Sequence, residues 1–439
     1  MCSFSSISFK YMEYLNIIFK AVLCSVIFCV LSCTNKEKSK TPASSIEHIE
    51  VAKAIESSKP INASVLGIES FEYVTLETNE NTFKLANPYM ISTIGDDKLF
   101  VKYNKQMALF SQQTGEYILD IGKFGTAPDS YGLVSKSIND RSNLGLVSVL
   151  SRNWKEIFEY NISTGEIVNR INIRDVIVDN DTLLSPTSSL LFDFFIQDDE
   201  NIFCFLPNVF GDSPFRIIRF NDKGILKKAY PQGQTLEERS NRDNSYAEAI
   251  FYEYNRQVIF KERYSDTLFV VNDENLSPRF VFDLEEKSPP YQDRYKHSFP
   301  NEASYLKVNP PYPYVDRTGY IFIESLIEND NFLIFSTIYK EELSYGFFDK
   351  RKGTTHVSKL RNDATHGFYN NIDDFIPFRP SYLDRENNKL VGFVTAEDVL
   401  TWFDKNPELA SKLPSELSAL SRIKPEDNPI VMIGKLKSH

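Results

Sequence analysis

Three sets of side chains in this 439-residue sequence have types and spacings that could do chemistry. His366 is followed by Asp373, Asp374 and Arg379 in THGFYNNIDDFIPFRP, which sets an imidazole, two carboxylates and a guanidinium along one loop. Those are the ingredients of proton transfer or of capturing a polar ligand. Arg152 and Trp154 in SRNWKE pair a cation with a flat ring, a combination suited to stacking on a sugar face or a peptide. Glu262, Arg263 and Tyr264 in FKERYSD occupy the corresponding place of a later segment. Each set also has a plainer reading: Asp373 and Asp374 as turn caps, Glu262 and Arg263 as a structural ion pair.

The common catalytic constellations are missing. The sequence contains no Gly-x-Ser-x-Gly elbow, no His-Glu-x-x-His, no Cys-x-x-Cys and no phosphate loop. SRIK at Ser421 matches Ser-x-x-Lys without any companion motif, so chance accounts for it. The five histidines are scattered without metal-ligand spacing. DNDT at Asp179 and QDDEN at Gln197 are rich in oxygen ligands but lack the Asp-x-Asp-x-Asp-Gly order of a dedicated calcium loop. No cofactor is expected, and nothing in the sequence supports an axial calcium ion. A net charge of −11 opposes nucleic acid and anionic lipid surfaces as partners.

The elements that would position these residues are strands. Phe (34) and Tyr (23) are abundant, and aromatic rings favour pleated surfaces. One pattern recurs from Leu99, Val147, Ile202, Val258 and Phe332: an apolar strand, a polar interval, a second strand, a turn often tipped by glycine, and a third strand. Thr114-Gly115, Thr164-Gly165, Lys223-Gly224 and Lys352-Gly353 place glycine where a tight hairpin needs positive φ. Period-2 alternation puts Tyr117, Leu119 and Ile121 on one face, and Ile167 with Ile171. A sixth unit combines KLVGFVTAEDVLTW with NPIVMIGKLK, and Phe71 to Thr78 supplies the strand that closes a ring onto it. Six units of about 60 residues fit an all-β, six-bladed β-propeller with a few long loops. Two sandwiches or a β-helix would use the same strands, but no Gly/Ser-rich linker divides the chain after residue 70. Thr395 and Asp398 predict a capping box, followed by Val399, Leu400 and Phe403 at helical spacing and a second helical run after Pro414, a small helical insertion in the last blade.

The N-terminus reads as an address. Residues 21–33, AVLCSVIFCVLSC, form a signal-peptide core too short to span a bilayer. The sequence VLSC resembles the bacterial lipobox, which makes Cys33 the expected site of lipidation, and four of the five cysteines lie by residue 33, which excludes a disulfide framework. The expected organisation is a lipoprotein signal over 1–32, a flexible polar tether over 33–62 and a propeller over 63–439.

ILDIGKFGTAPDSYG, RYSDTLFVVND, NIDDFIPFRPSYL and DNPIVMIGKLK occur in an order that resembles the six-bladed propeller lipoproteins of Gram-negative bacteria, NHL-repeat-like and mostly of unassigned function. GTAPDSYG departs from the GxGPGEY loop expected there, lacking its second glycine and its glutamate, which puts any ligand site of that loop in doubt. The resemblance implies a lipoprotein on the outer membrane, and basic residues after Cys33 in place of an acidic cluster favour its periplasmic face. With no nucleophile–base pair in the sequence, the expected role is binding of a glycan, a peptide or an envelope protein partner at the channel mouth or rim, without catalysis. The rival expectation is a lactonase-like hydrolase or lyase with an axial metal ion, using Asp373 or Glu262.

Overall fold

Among the described residues, six four-stranded antiparallel blades follow one another along the chain, with a separate two-stranded ladder of Ile177–Val178 against Asp181–Thr182. The computed structural model describes residues 46–82, 90–103, 106–131, 139–141, 144–151, 156–173, 177–178, 181–182, 193–208, 213–234, 249–292, 319–340, 342–360 and 366–437. The signal segment, Cys33, Arg152 and Trp154 lie outside them. Blade 1 is Met90–Ile94, Lys98–Lys102, Met107–Ser111 and Tyr117–Asp120; blade 2 is Asn139–Arg141, Leu146–Leu150, Glu156–Asn161 and Ile167–Asn172. Blade 3 is Phe194–Asp198, Asn201–Phe205, Phe215–Phe220 and Leu226–Pro231; blade 4 is Ala249–Tyr254, Gln257–Glu262, Thr267–Val271 and Leu276–Phe282. Blade 5 is Phe322–Glu328, Phe332–Tyr339, Glu342–Asp349 and Thr354–Ser358. Blade 6 takes Pro380–Asp384, Lys389–Val394 and Ile430–Leu436 from the end of the chain and its outer strand, Ile68–Thr75, from the beginning. That pairing, Tyr73 opposite Met432 and Thr75 opposite Ile430, closes the six-bladed propeller as the sequence predicts.

Apolar residues on both faces of the middle strands explain the packing. In blade 1, Leu99, Val101 and Phe110 join a cluster with Val391, Val431 and Ile433 of blade 6, while Phe100, Met107 and Leu109 join Val149, Phe158 and Tyr160 of blade 2. Comparable clusters fill the interfaces of blades 2 with 3, 3 with 4, 4 with 5 and 5 with 6. Each fully buried Leu, Ile or Phe contributes roughly 1.5–3 kcal/mol.

The outer strands do not alternate as the sequence suggests. A bulge between the Leu109/Leu119 and Phe110/Tyr117 pairs sends Tyr117 towards blade 6 and Leu119 and Ile121 towards blade 2. Blade 2 repeats it, so Ile167 and Ile171 pack on opposite sides. The residue left over at the bulge is exposed in both, Ile118 and Val168. Blades 3 and 4 carry the same irregularity, at Lys227 and Arg279.

The glycine turns stitch blades together. Gly115 (φ +75°) would place a Cβ 2.0 Å from the carbonyl oxygen of Thr75, and Gly165 (φ +70°) would place one 2.2 Å from that of Asp120, each in the preceding blade's outer strand. The Gly115 and Gly165 carbonyls in turn accept the N–H groups of Glu77 and Gly122. Gly145 has φ +70° with nothing near its missing Cβ. Gly145→Ala should therefore show only left-handed backbone strain, roughly 1–2 kcal/mol, and Gly115→Ala visibly more, because a blade must move. Thermal melts giving equal losses would refute the inter-blade role.

The flexible tether expected over 33–62 needs correction. Glu47–Ile49 adds as a fifth strand parallel to the outer strand of blade 4, with Ile49 opposite Phe282. A helix, Val51–Glu56, follows with Val51, Ala52 and Ala54 buried. Lys59 then bridges Ser358 of blade 5, and the chain turns at Gly67 (φ +82°) into blade 6. Residues 47–75 therefore form a belt across three blades, because Ile49, Val51 and Ile61 complete their apolar clusters.

The helical insertion lies between the second and third strands of blade 6. Thr395 Oγ accepts from the Asp398 N–H at 3.0 Å and the Asp398 carboxylate accepts from the Thr395 N–H at 3.3 Å, completing the capping box. Val399 and Trp402 of Ala396–Lys405 are buried against blade 6, and short turns over Pro407–Ala410 and Ser415–Arg422 complete the insertion.

Candidate functional site

Antiparallel order gives the ring two faces. The connection face holds the blade-to-blade crossings and the loops between second and third strands; the turn face holds the tight turns between first and second and between third and fourth strands. Every described candidate from the sequence lies on the connection face, and each is tied into structure.

Glu262 is buried and accepts from Arg216 of blade 3, with Nε at 2.7 Å and Nη2 at 2.5 Å. Arg263 pairs with buried Glu324 of blade 5 at 2.6 Å and stacks over the Phe322 ring at 4.3 Å. Tyr264 meets the same ring edge-on. These contacts join blade 4 to its neighbours on both sides. The sequence could not tell this role from a ligand role because both call for charge beside aromatics at a strand end.

The loop entering blade 6 behaves alike. Asp373 accepts from the Tyr73 hydroxyl at 2.8 Å, Asn370 Nδ2 at 2.7 Å and the Phe375 N–H at 3.1 Å. Burial holds its carboxyl above the usual range. Asp374 accepts from the Tyr369 hydroxyl at 3.0 Å and has φ +59°. Arg379 reaches Asp398 of the helical insertion at 2.9 Å and donates to the carbonyl of exposed His366. Asp373 pins the outer strand of blade 6, and Arg379 pins the insertion. The two carboxylates named for the rival chemistry are thus engaged within the fold, Glu262 through Oε2 by Arg216 and Asp373 by Tyr73, Asn370 and the Phe375 N–H.

The QDDEN acids are engaged in the same way. Asp198 caps its own turn, Asp199 takes Arg141 at 2.8 Å and Glu200 takes Lys227. Among the described residues no three His, Cys, Asp or Glu side chains come together as a metal ion would require.

The turn face carries what the sequence reading missed. Blades 4, 5 and 6 enclose a cleft of about 540 Å³. Leu66, Phe332, Leu383 and Leu436 supply apolar surface; Tyr254, Asp330 and Arg385 line it further, and Arg351, Lys352 and Lys437 add three cations. The seam of the ring lies here, where the Lys437 N–H donates to the Gly67 carbonyl at 2.9 Å.

Behind the cleft sits Glu328, whose side chain has no exposure. It accepts from Arg279 and Lys350 at 2.5 Å each and from the Tyr252 hydroxyl at 2.8 Å. Arg279 is the bulge residue of blade 4: where blades 1 and 2 expose an aliphatic, the bulge here aims a guanidinium at the next blade. Arg385 donates to the carbonyls of Glu253 at 2.7 Å and Glu328 at 2.6 Å, tying blades 4, 5 and 6. The Tyr254 ring has Lys350 at 4.2 Å and Arg279 at 4.5 Å from its centroid, and its hydroxyl donates to Asp330 at 2.9 Å. Burial lowers the Lys350 ammonium pKa against the pull of Glu328, and raises that of the Tyr252 phenol well above its usual value. The cleft is polar at the rim and apolar at the floor.

Comparison with known proteins places this architecture. A family profile described as "Domain of unknown function (DUF4934)" matches residues 46–435. The crystal structure of a Bacteroides fragilis NCTC 9343 protein, inferred there to be exported, superposes with a TM-score of 0.59 at 15% identity, covering 87% of this chain and 98% of that one. A protein of unknown function from Bacteroides caccae superposes at 0.36 with 10% identity, over 67% of this chain and 82% of that one. Only the first superposes closely enough to compare folds. No curated protein matches at a significant level.

Proposed function

We propose that this chain, which belongs to the DUF4934 family, is a lipid-anchored, NHL-like propeller of the cell envelope that binds a glycan, a peptide or an envelope protein partner in the cleft between blades 4, 5 and 6. The observation that carries the reading is the cleft itself, a preformed concavity with an apolar floor and convergent polar groups. Among the connection-face candidates, Glu262, Arg263 and Tyr264 are buried in inter-blade contacts instead. Binding needs shape and a few fixed anchors, and Arg385 and Tyr254 are held from several sides. The description of the B. fragilis neighbour, inferred there to be exported, agrees with an envelope location.

Val65 is half exposed and lines the cleft mouth. Val65→Trp should fill that mouth without disturbing the blades. On glycan and peptide arrays probed with the full-length protein in detergent, we expect saturable capture of one ligand class and a loss of about tenfold or more with Val65→Trp, equivalent to ~1.4 kcal/mol. Blank arrays, or unchanged capture by the variant, would remove this reading. The anchor has its own test. Cys33→Ala should move the protein from the membrane to the soluble fraction, and a wild-type protein already soluble would contradict lipidation.

A further inference from the structure

We infer that the cleft selects an acidic saccharide, a short carboxylate- or sulfate-bearing oligosaccharide, and this rests on the cleft being the binding site. Its charge is opposite to that of the rest of the molecule. The chain carries a net −11, yet Arg351, Lys352, Arg385 and Lys437 line the cleft against Asp330 and Asp349, and Arg279 and Lys350 stand behind it against Glu328.

The carboxylates present are already engaged. Glu328 holds Arg279 and Lys350, Asp349 holds Lys352 at 3.2 Å, and Asp330 takes the Tyr254 hydroxyl. The hydrogen-bond partners of Arg385 are two neutral carbonyls, which fix the guanidinium without cancelling its charge. Arg351 and Lys437 are exposed, with no side-chain ion pair among the described residues. Three cations without an ion pair and one such carboxylate, Asp330, therefore border one concavity, a positive surplus that raises the local concentration of anions. Arg presents a planar fork matched to carboxylate and sulfate oxygens.

The remaining surface favours a sugar as the carrier of that charge. The cleft volume of about 540 Å³ far exceeds one inorganic anion and suits two or three pyranose rings. Leu66, Leu383 and Leu436 offer apolar contact for the C–H faces of a ring, and Asn255 offers an exposed side-chain amide for hydroxyls. A peptide taken by strand addition would need a free sheet edge, and tight turns supply the walls here. A membrane surface would need an outward-facing basic patch, whereas these cations border a recess.

Isothermal titration of the full-length protein in detergent should use trigalacturonate, a sulfated chondroitin disaccharide, neutral cellotriose and sodium sulfate as probes. Arg351→Glu and Lys437→Glu are the variants, since both side chains are exposed and can change without unpacking a blade. We expect one or both acidic sugars to bind, cellotriose and sulfate to bind at least about tenfold more weakly, and each variant to lose about tenfold, the scale of one charge-assisted hydrogen bond. Which acidic sugar binds better identifies the anionic group. Equal binding of cellotriose, or acidic-sugar binding indifferent to both variants, overturns the inference; if Val65→Trp still abolishes that binding, the cleft stands as the site. Sulfate binding as tightly as the sugars reduces the site to an anion site and also overturns it. Peptide capture abolished by Val65→Trp, with no sugar bound, would overturn the saccharide and keep the cleft. No capture of any probe removes both.

Discussion

A chain that begins at residue 63 is expected to melt well below one that begins at residue 46, and to self-associate. Residues 47–62 are the first half of the belt. Removing them uncovers the edge of the Leu276–Phe282 strand and opens the apolar clusters that Ile49, Val51 and Ile61 complete. Burial of those three side chains, at roughly 1.5–3 kcal/mol each, bounds the gain at about 5–9 kcal/mol, from which the ordering of the segment subtracts. At about 2.1 cal/mol/K per residue, a body of roughly 390 residues shifts by about 1.2 °C per kcal/mol, so these side chains cap the loss at about 6–11 °C. The two truncations melting together would return residues 47–62 to the role of a loose leash. Compositional reading fails here because SSIEHIEVAKAIESSK is mostly polar, although Ile49, Val51 and Ala54 are the apolar positions that fill the groove.

Glu328→Gln is the second large expectation. The carboxylate is the only acidic group that Arg279 and Lys350 contact within ion-pair distance among the described residues. Losing it leaves two cations facing each other behind the cleft, and removing one partner of a buried ionic cluster costs about 3–5 kcal/mol. On the scale above that lowers the melting temperature by about 4–6 °C. Adding Lys350→Met should recover part of the loss, because it removes the surplus charge, and the double-mutant cycle measures the coupling directly. A shift under about 1 °C for Glu328→Gln alone would mean that the cluster does not hold blade 5 in place.

The architecture was legible because its causes are local and repeated. A middle strand buried on both faces reads as a continuous apolar run, and each Thr-Gly or Lys-Gly turn marks a hairpin; Gly115 and Gly165 answer a second demand as well, the close approach of the preceding blade. The seam could be placed because Phe71 to Thr78 reads as a strand with no partner near it in sequence; in the fold the strand is Ile68–Thr75. Outer-strand faces were not legible, since a one-residue bulge reverses them without any signature beyond an unremarkable Ile118 or Val168.

The candidate site was illegible for a different reason. Its residues run from Val65 to Lys437 and meet only when the ring closes. Charge and aromatics drew attention to Glu262, Arg263 and Tyr264, and to the stretch from His366 to Arg379; in the fold they join blades or pin the blade 6 seam and the helical insertion. The loop that resembles the family motif has the same fate: Tyr131 of GTAPDSYG is buried between blades 1 and 2, and its hydroxyl accepts the Met107 N–H at 3.2 Å. On the turn face, Asn255 and Arg256 take the two positive φ values that a two-residue hairpin loop requires, which is turn geometry and no signal of the cleft beside it.

Hydrogen exchange of the full-length protein with and without trigalacturonate tests most directly whether the cleft is where this propeller binds. Binding there predicts slowed exchange together at residues 254–256, 329–331, 351–353 and 385–388, with no change at 262–266 or 366–374. Protection confined to 262–266 and 366–374 would put the ligand on the connection face and contradict the assignment.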